Sequence, residues 1–345
     1  MVKELLAKLS NAHGVSGSEG SVLSIIKKEL KGHVDEIRED SMGNLIAIKK
    51  GNKFKVMLAA HMDEIGLMVK FVDEKGFLRF VALGGWYGPT LYNQRVVLHS
   101  TKGPVYGVIG GKPPHMMDAE ESKKGVKIDD MFIDVGATNR QEVEVLGVDV
   151  GTPVTIDREF TELGYGRVTG KAFDNRAGVA MLIKTMQEVK SPLTICAVFT
   201  VQEEVGLKGA RTSAYTLEPD CAIATDVTIP GDHPGIEMKD APVEMGKGPV
   251  VTIVDASGRG LIASRKVVSW LKEAADNESI PMQLEVGSGG TTDATAIHLT
   301  KGGIPSTTMS IPTRYIHSPV EVLDLRDLEA AVQLLVAALK KKPAL

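Results

Sequence analysis

The sequence predicts an α/β fold, a mixed sheet with helices on both faces, interrupted by a small β-rich insertion. Three observations carry this. Val56–Ala60, Leu193–Thr200 and Cys221–Thr225 are apolar runs of strand length with no polar alternation, the pattern of strands covered on both faces. Around them, apolar residues recur at helical spacing, as in Val22, Ile25, Ile26 and Leu30, or Val179, Leu182, Ile183 and Met186. From about Leu67 to Thr161 the texture changes to short strands punctuated by Gly and Pro, for example Leu83-Gly84-Gly85 and Gly110-Gly111-Lys112-Pro113-Pro114.

In chain order, Met1 to Leu9 reads as an amphipathic helix, and Gly14 to Ser18 as a turn before a second helix with one core face. Strand-like runs follow at Asn44 to Ile48 and Phe54 to Ala60, the latter passing directly into His61-Met62-Asp63-Glu64. Beyond the insertion, Gly170 to Gly178 leads into a helix, and the run ending at Thr200 continues into Val201-Gln202-Glu203-Glu204-Val205-Gly206. A short helix precedes the strand that closes on Asp226. The last third predicts a strand at Pro249 to Val254, a helix from about Leu261 to Asn277, and a glycine-rich loop from Gly287 to Asp293. A short helix carrying His298, a strand around Ser306 to Ser310 and a final helix capped by Asp324 complete it. No internal repeat, low-complexity tract or heptad seam is present.

At 345 residues the chain has room for two domains or for one α/β domain with an insertion. Hydrophobic content of 43% and charged content of 24% are those of a globular protein. The net charge of -4, from 40 basic and 44 acidic residues, gives no electrostatic case for nucleic acid or an anionic membrane. Cys196 and Cys221 both lie in apolar runs, which predicts buried thiols and a reducing, cytoplasmic setting rather than a disulfide framework. No run is long enough to span a bilayer, and the first helix lacks the apolar core of a signal sequence.

Three apolar strands end in candidate ligands, and a sheet brings its strand ends to one edge. Singly, each signal is weak: Glu203-Glu204 reads as a solvated loop, Asp174 as a helix cap, and His61 as a structural histidine. Together, His61, Asp63, Asp174, Glu203, Glu204, Asp226 and His317 supply two imidazoles and several carboxylates. That donor set suits zinc, cobalt or manganese and holds too many acids for one closed structural site, so two metal ions are expected. His99, His115 and His298 have no such company and read as structural or surface residues.

The motifs Ala60-His61-Met62-Asp63-Glu64-Ile65-Gly66, Gly170-Lys171-Ala172-Phe173-Asp174-Asn175-Arg176, Val201-Gln202-Glu203-Glu204-Val205-Gly206, Thr225-Asp226 and Arg314-Tyr315-Ile316-His317-Ser318-Pro319 occur in this order. With them the chain resembles metallopeptidase family 42, the di-metal glutamyl, leucyl and deblocking aminopeptidases of the tetrahedral type. The resemblance implies a di-zinc peptidase-like catalytic domain over 1–66 and 162–345, and a PDZ-like dimerisation and oligomerisation domain over 67–161. It also implies that Asp174 bridges two divalent ions, zinc or cobalt with manganese as a further choice. His61 and Asp226 would complete one site, Glu204 and His317 the other. Glu203 would be the general base, Asp63 would orient His61, and the Asp174–Asn175 peptide would be cis. Peptides would be the substrates, and dimers would assemble into a hollow tetrahedral dodecamer.

Three other readings compete. A carboxypeptidase or amidohydrolase of the acylase type has a similar ligand order, but its extra domain lies between the last carboxylate and the last histidine, whereas the insertion here lies between Asp63 and Asp174. An endoglucanase-like glycoside hydrolase needs a carboxyl pair and no histidines. A non-catalytic metal scaffold has no use for a spare carboxylate such as Glu203.

Overall fold

The protein is described by a computed structural model over residues 2–117 and 126–345; residues 118–125, within the expected insertion, lie outside the described residues. The chain opens with helices α1 (Val2–Asn11) and α2 (Gly20–Leu30), then strands β1 (Glu36–Glu39), β2 (Leu45–Lys49) and β3 (Lys55–His61). Next come β4 (Gly66–Val72), β5 (Leu78–Leu83), β6 (Arg95–Ser100), β7 (Gly103–Gly110), β8 (Phe132–Asp134) and β9 (Pro153–Ile156). The chain continues through β10 (Thr161–Glu162), β11 (Arg167–Gly170), α3 (Phe173–Glu188), β12 (Thr194–Thr200), α4 (Lys208–Leu217) and β13 (Cys221–Thr228). It ends with β14 (Val250–Val254), α5 (Arg265–Glu278), β15 (Gln283–Val286), α6 (Asp293–Ile297), β16 (Ser306–Arg314), β17 (Glu321–Asp324) and α7 (Leu325–Ala338).

Eleven of these strands form one mixed sheet in the order β1-β2-β12-β3-β13-β16-β17-β11-β10, with β14 and β15 joined beside β16. Its centre, β12-β3-β13-β16, is parallel. Alternation along these strands divides the core in two. Val56, Leu58, Ala60, Ile195, Ala197 and Phe199 face the cluster built with α1, α2, α3, α5 and α7. Met57, Ala59, Cys196 and Val198 face the opposite layer of α4 and α6. A strand buried on both sides cannot alternate apolar with polar, which is why the sequence runs read as unbroken.

Strands β4 to β9 close a six-stranded barrel in the order β4-β5-β8-β7-β6-β9. It has an apolar centre of its own, including Leu67, Phe80, Leu98, Ile109, Ile133 and Val154. The expected β-rich insertion is, in its described residues, this closed barrel. It meets the segment between α1 and α2 through a histidine pair: Thr155 Oγ1 of β9 lies 2.7 Å from His13 Nδ1 and 2.8 Å from His99 Nε2.

The parallel register sets the site. Thr200 pairs with His61 and Ala224 with Ala59, so the carboxyl ends of β12, β3 and β13 come level, with Asp226 two residues beyond Ala224. Where strand ends align in an α/β sheet, a crevice opens beyond them.

Candidate metal centre

The ligand candidates stand at strand ends or at local breaks in regular structure, except Asp226, which lies within β13 two residues before its end. His61 is the last residue of β3. Glu203 and Glu204 follow β12 in a turn entered by Gln202 at φ +54° and closed by Gly206 N–H donating to Glu203 O. Asp174 stands at the irregular start of α3, after Ala172 at φ +59°, and its peptide bond to Asn175 is cis. His317 itself has φ +60°. Non-glycine residues in the left-handed region gather where function fixes the backbone.

The side chains converge. One oxygen of Asp174 lies 3.1 Å from His61 Nε2 and the other 3.4 Å from His317 Nε2. Glu204 Oε2 is 3.2 Å from His317 Nε2, and Asp226 Oδ1 is 4.0 Å from His61 Nε2. Glu203 comes as near, with Oε2 3.9 Å from His61 Nε2. Donor atoms of His61, Glu203 and Asp226, and of His61, Asp174 and Glu204, fall within 4.8 Å of one another. All six of these residues line one cavity of about 760 Å³.

The charge balance of this cluster calls for a cation. Burial opposes the charged imidazoles, yet the carboxylates around them raise the pKa of His61 above its usual value and that of His317 to about 11. Burial, reinforced by neighbouring acids, pushes the Glu203, Glu204 and Asp226 carboxyls upward. Among the described lining residues there is no Lys or Arg to offset them. Glu204 Oε1 is buried without a hydrogen-bond partner, and a buried unpaired carboxylate oxygen is costly unless a cation meets it. The donor set and this orphaned oxygen fit divalent metal ions.

The surrounding residues fix both imidazoles with Nε2 inward. His61 Nδ1 faces Asp63, with the main-chain oxygen at 3.1 Å and the carboxylate at 3.6 Å. Asp63 is fully buried and accepts from Ser16 Oγ (2.6 Å), Glu203 N (3.0 Å) and Glu204 N (3.2 Å). Although burial opposes its charge, His61 and these donors hold its carboxyl below the ordinary range. One carboxylate thus aims a histidine and both glutamates. His317 Nδ1 is 3.0 Å from Gly85 O, which follows β5 of the barrel.

Residues to which the sequence reading gave no role of their own surround the site. Glu321, nearly inaccessible at 2%, accepts from the backbone N–H of Asp174 at 3.0 Å and of His317 at 3.1 Å. Asp293 accepts from Thr200 Oγ1 at 2.5 Å, its other oxygen has no partner, and burial pushes its carboxyl up to about 6. Glu64 pairs with Lys171 at 2.8 Å and Arg176 at 3.3 Å in full burial, and Arg176 donates to the carbonyls of Leu9, Met62 and Gly14. This network ties α1, the residues after β3 and the start of α3, the segments that carry His61 and Asp174. His99 and His115 stay away from the cluster, as expected, the His99 ring lying 4.8 Å from that of His13 between centroids and tilted 49° to it.

A mixed α/β sheet whose parallel strand ends gather two histidines and four carboxylates in one crevice defines a metal-dependent hydrolase. The chain belongs to the M42 glutamyl aminopeptidase family, which residues 43–334 match. It is 43% identical over 337 residues to a putative aminopeptidase of Acetivibrio thermocellus, covering 97% of this chain and 98% of that protein. Aminopeptidase APDkam598 from the archaeon Desulfurococcus kamchatkensis is 46% identical and superposes with a TM-score of 0.95, over 99% of this chain and 95% of that one. The TET1 peptidase of Pyrococcus horikoshii, which can assemble into a tetrahedron or a large octahedral shell, is 34% identical, with a TM-score of 0.89 over 99% of this chain and 100% of that one. The protein is a metal-dependent aminopeptidase, a hydrolase of peptide bonds. No helix among the described residues is long and apolar enough to cross a membrane.

Proposed function

We propose that the cluster is a two-ion site, for zinc or cobalt with manganese as a further choice, at which the amino-terminal residue of a peptide is cleaved. Asp174 would be shared between two ions, with His61 and Asp226 holding one and Glu204 and His317 the other. The observation that carries this reading is that the two oxygens of Asp174 face different histidines, at 3.1 and 3.4 Å. Bound at such a site, paired divalent ions supply a water acidified to a pKa of about 7 and charge stabilisation for the developing oxyanion.

The rest is done by the chain's own residues. Glu203 takes a proton from the attacking water and returns it to the leaving nitrogen. Burial and nearby carboxylates raise its pKa above the ordinary carboxylate value, the direction that suits a general base. Asp63 holds the Glu203 and Glu204 amides and keeps His61 in one tautomer. An ion or a nearby carboxylate would receive the substrate's free α-amine, which restricts cleavage to the first residue.

The domain division has 1–66 and 162–345 as the catalytic part and 67–161 as a dimerisation and oligomerisation module. Dimers assemble into a closed tetrahedral dodecamer; support comes from the TET1 relative and from exposed Phe71, Tyr106 and Val108 on the barrel. The two buried free thiols support a cytoplasmic setting.

The test is a pair of substrates, leucine amide and its N-acetylated form, with protein stripped by chelator and then reloaded with zinc or cobalt. Hydrolysis of the free amine alone, lost on stripping and regained on reloading, is expected. Cleavage of the blocked amide at a similar rate, or activity that survives complete stripping, would reject the reading.

A further inference from the structure

We propose that the far end of the catalytic cavity selects a cationic first side chain, lysine or arginine, and that Glu285 is the residue that reads it. The proposal rests on the assignment of the metal-ligand cluster as the place of cleavage and names the substrate class for that site.

The cavity does not stop at the cluster. It runs along β13, past Asp226, to Thr228, Thr252 and Glu285. Asp226 and Thr228 are two residues apart on one face of the strand, an advance of about 6.6 Å. The Glu285 carboxylate rests on Thr228, with Oε1 accepting from Thr228 Oγ1 at 2.7 Å and Oε2 lying 3.5 Å from Thr252 Oγ1. A negative charge therefore sits about one lysine stem beyond the residues that handle the scissile end. An ammonium on a four-carbon stem or a guanidinium spans that gap; a branched apolar side chain falls short, and an acidic one meets its own sign of charge.

Glu285 has no cationic partner among the described residues. None of the ion pairs among the described residues includes it, and no Lys or Arg lines the cavity. Two threonine hydroxyls orient the carboxylate without neutralising it. A purely structural tie between β13, β14 and β15 would be served by a neutral amide, so the retained charge needs another account. The other acids away from the cluster do not compete for the role. Asp255 is 6% exposed and is occupied by Leu261 N and Thr295 Oγ1. Asp240 is exposed to solvent at the rim, where screening makes a charge a weak discriminator.

The comparison that isolates Glu285 is lysine against norleucine, which shares the four-carbon stem and lacks only the ammonium. With the metal-loaded enzyme, kcat/KM for lysine amide should exceed that for norleucine amide by about 10- to 100-fold, the range for a charge-assisted hydrogen bond. Glutamate amide should be the poorest of the set. In Glu285→Gln the lysine-to-norleucine ratio should fall to near one, with the change in KM. Calorimetric binding of free lysine and norleucine as products should give the same order, which keeps a readout apart from turnover. Norleucine equal to or better than lysine in the wild-type enzyme, or an unchanged ratio in Glu285→Gln, would overturn the proposal. These two results leave the aminopeptidase intact, because norleucine amide is still cleaved. Inactivity toward every aminoacyl amide would instead remove the cleavage assignment, and the selectivity claim with it.

Discussion

The carbonyl oxygen of Gly85 lies 3.0 Å from Nδ1 of His317, so a residue of the barrel segment orients an imidazole of the metal centre. With Nδ1–H donating to this carbonyl, Nε2 faces Asp174 and Glu204 and would offer its lone pair to an ion held between them. A side chain at position 85 is excluded by distance, since a Cβ there would stand 2.8 Å from Nδ1. Gly85→Ala should push the ring outward while leaving the barrel folded. A displacement near 1 Å costs about 100-fold in rate, so kcat/KM should drop by that order with an unchanged circular dichroism spectrum. Full activity in the alanine variant would show that His317 is not held from this side.

Glu321 gives a second prediction. Its two oxygens accept from the amides of Asp174 and His317, which are otherwise remote in sequence. Burial and the Asp174 charge push its carboxyl upward, a cost met by these two bonds. In Glu321→Gln one amide N–H faces an NH2 group and loses its acceptor. Metal affinity should fall by about 10- to 100-fold, as for other groups that orient ligands. Titration of stripped protein with zinc would measure it, and an unchanged affinity would place Glu321 outside the centre's support.

The sequence made the strand ends legible because His61, the Glu203-Glu204 pair and Asp226 each follow an unbroken apolar run, a pattern that a doubly covered parallel strand imposes. Other parts left no such trace. Gly85 acts through a carbonyl, and no side chain marks it. Glu321 lies in the short strand β17 and serves two distant amides, so nothing local to it signals the role. The two glutamates diverge in a tight turn whose amides both bind Asp63, rather than by the alternation of extended chain. The helix expected from Leu261 begins at Arg265, because Leu261 N–H is taken by Asp255 and Ile262 bridges Val254 in extended form. Edge strands β1 and β15 are four residues each, too short for an alternation to stand out in the sequence.

Glu203 stands as near to His61 as the proposed ligand Asp226 does, so its role as base has to be separated from ligation by experiment. Glu203→Gln should keep both ions and lose about 100-fold or more in turnover, the scale of general-base catalysis. Metal analysis and rate measured on one preparation decide it. Loss of an ion together with activity would make Glu203 a ligand instead.

The histidine contact between the barrel and the segment after α1 predicts a pH dependence of stability. Burial, with Lys171 nearby, lowers the His13 pKa from 6.5 to about 4. A histidine whose folded pKa is depressed binds fewer protons than the unfolded chain, so its contribution is complete above pH 6.5 and is lost as pH falls toward 4. The melting temperature should therefore decline across that window, and His13→Asn should decline less steeply than the wild type. Parallel curves would assign the acid sensitivity to other groups.

Assembly is the remaining prediction. The barrel contributes no ligand to the proposed centre, yet it has its own core and turns Phe71, Tyr106 and Val108 outward. Their relative exposures of 52, 66 and 46% are those of residues left in water by a single chain. Tyr106 and Val108, two residues apart on β7, share one outer face of the barrel; adjacent exposed apolar side chains favour burial against another protein surface, and a second copy of the chain makes a symmetric partner. A closed shell of such dimers would turn the metal centres toward an enclosed space, admitting unfolded peptides and excluding folded proteins. That would supply a selectivity which a two-ion centre lacks by itself. Light scattering at micromolar concentration measures the mass directly, against 36.9 kDa for one chain. A dodecameric mass is expected, and Tyr106→Glu with Val108→Glu should shift it toward the monomer by placing unpaired charge in the contact. A dimeric mass would keep the barrel interface and remove the shell. A fully active monomer would remove both.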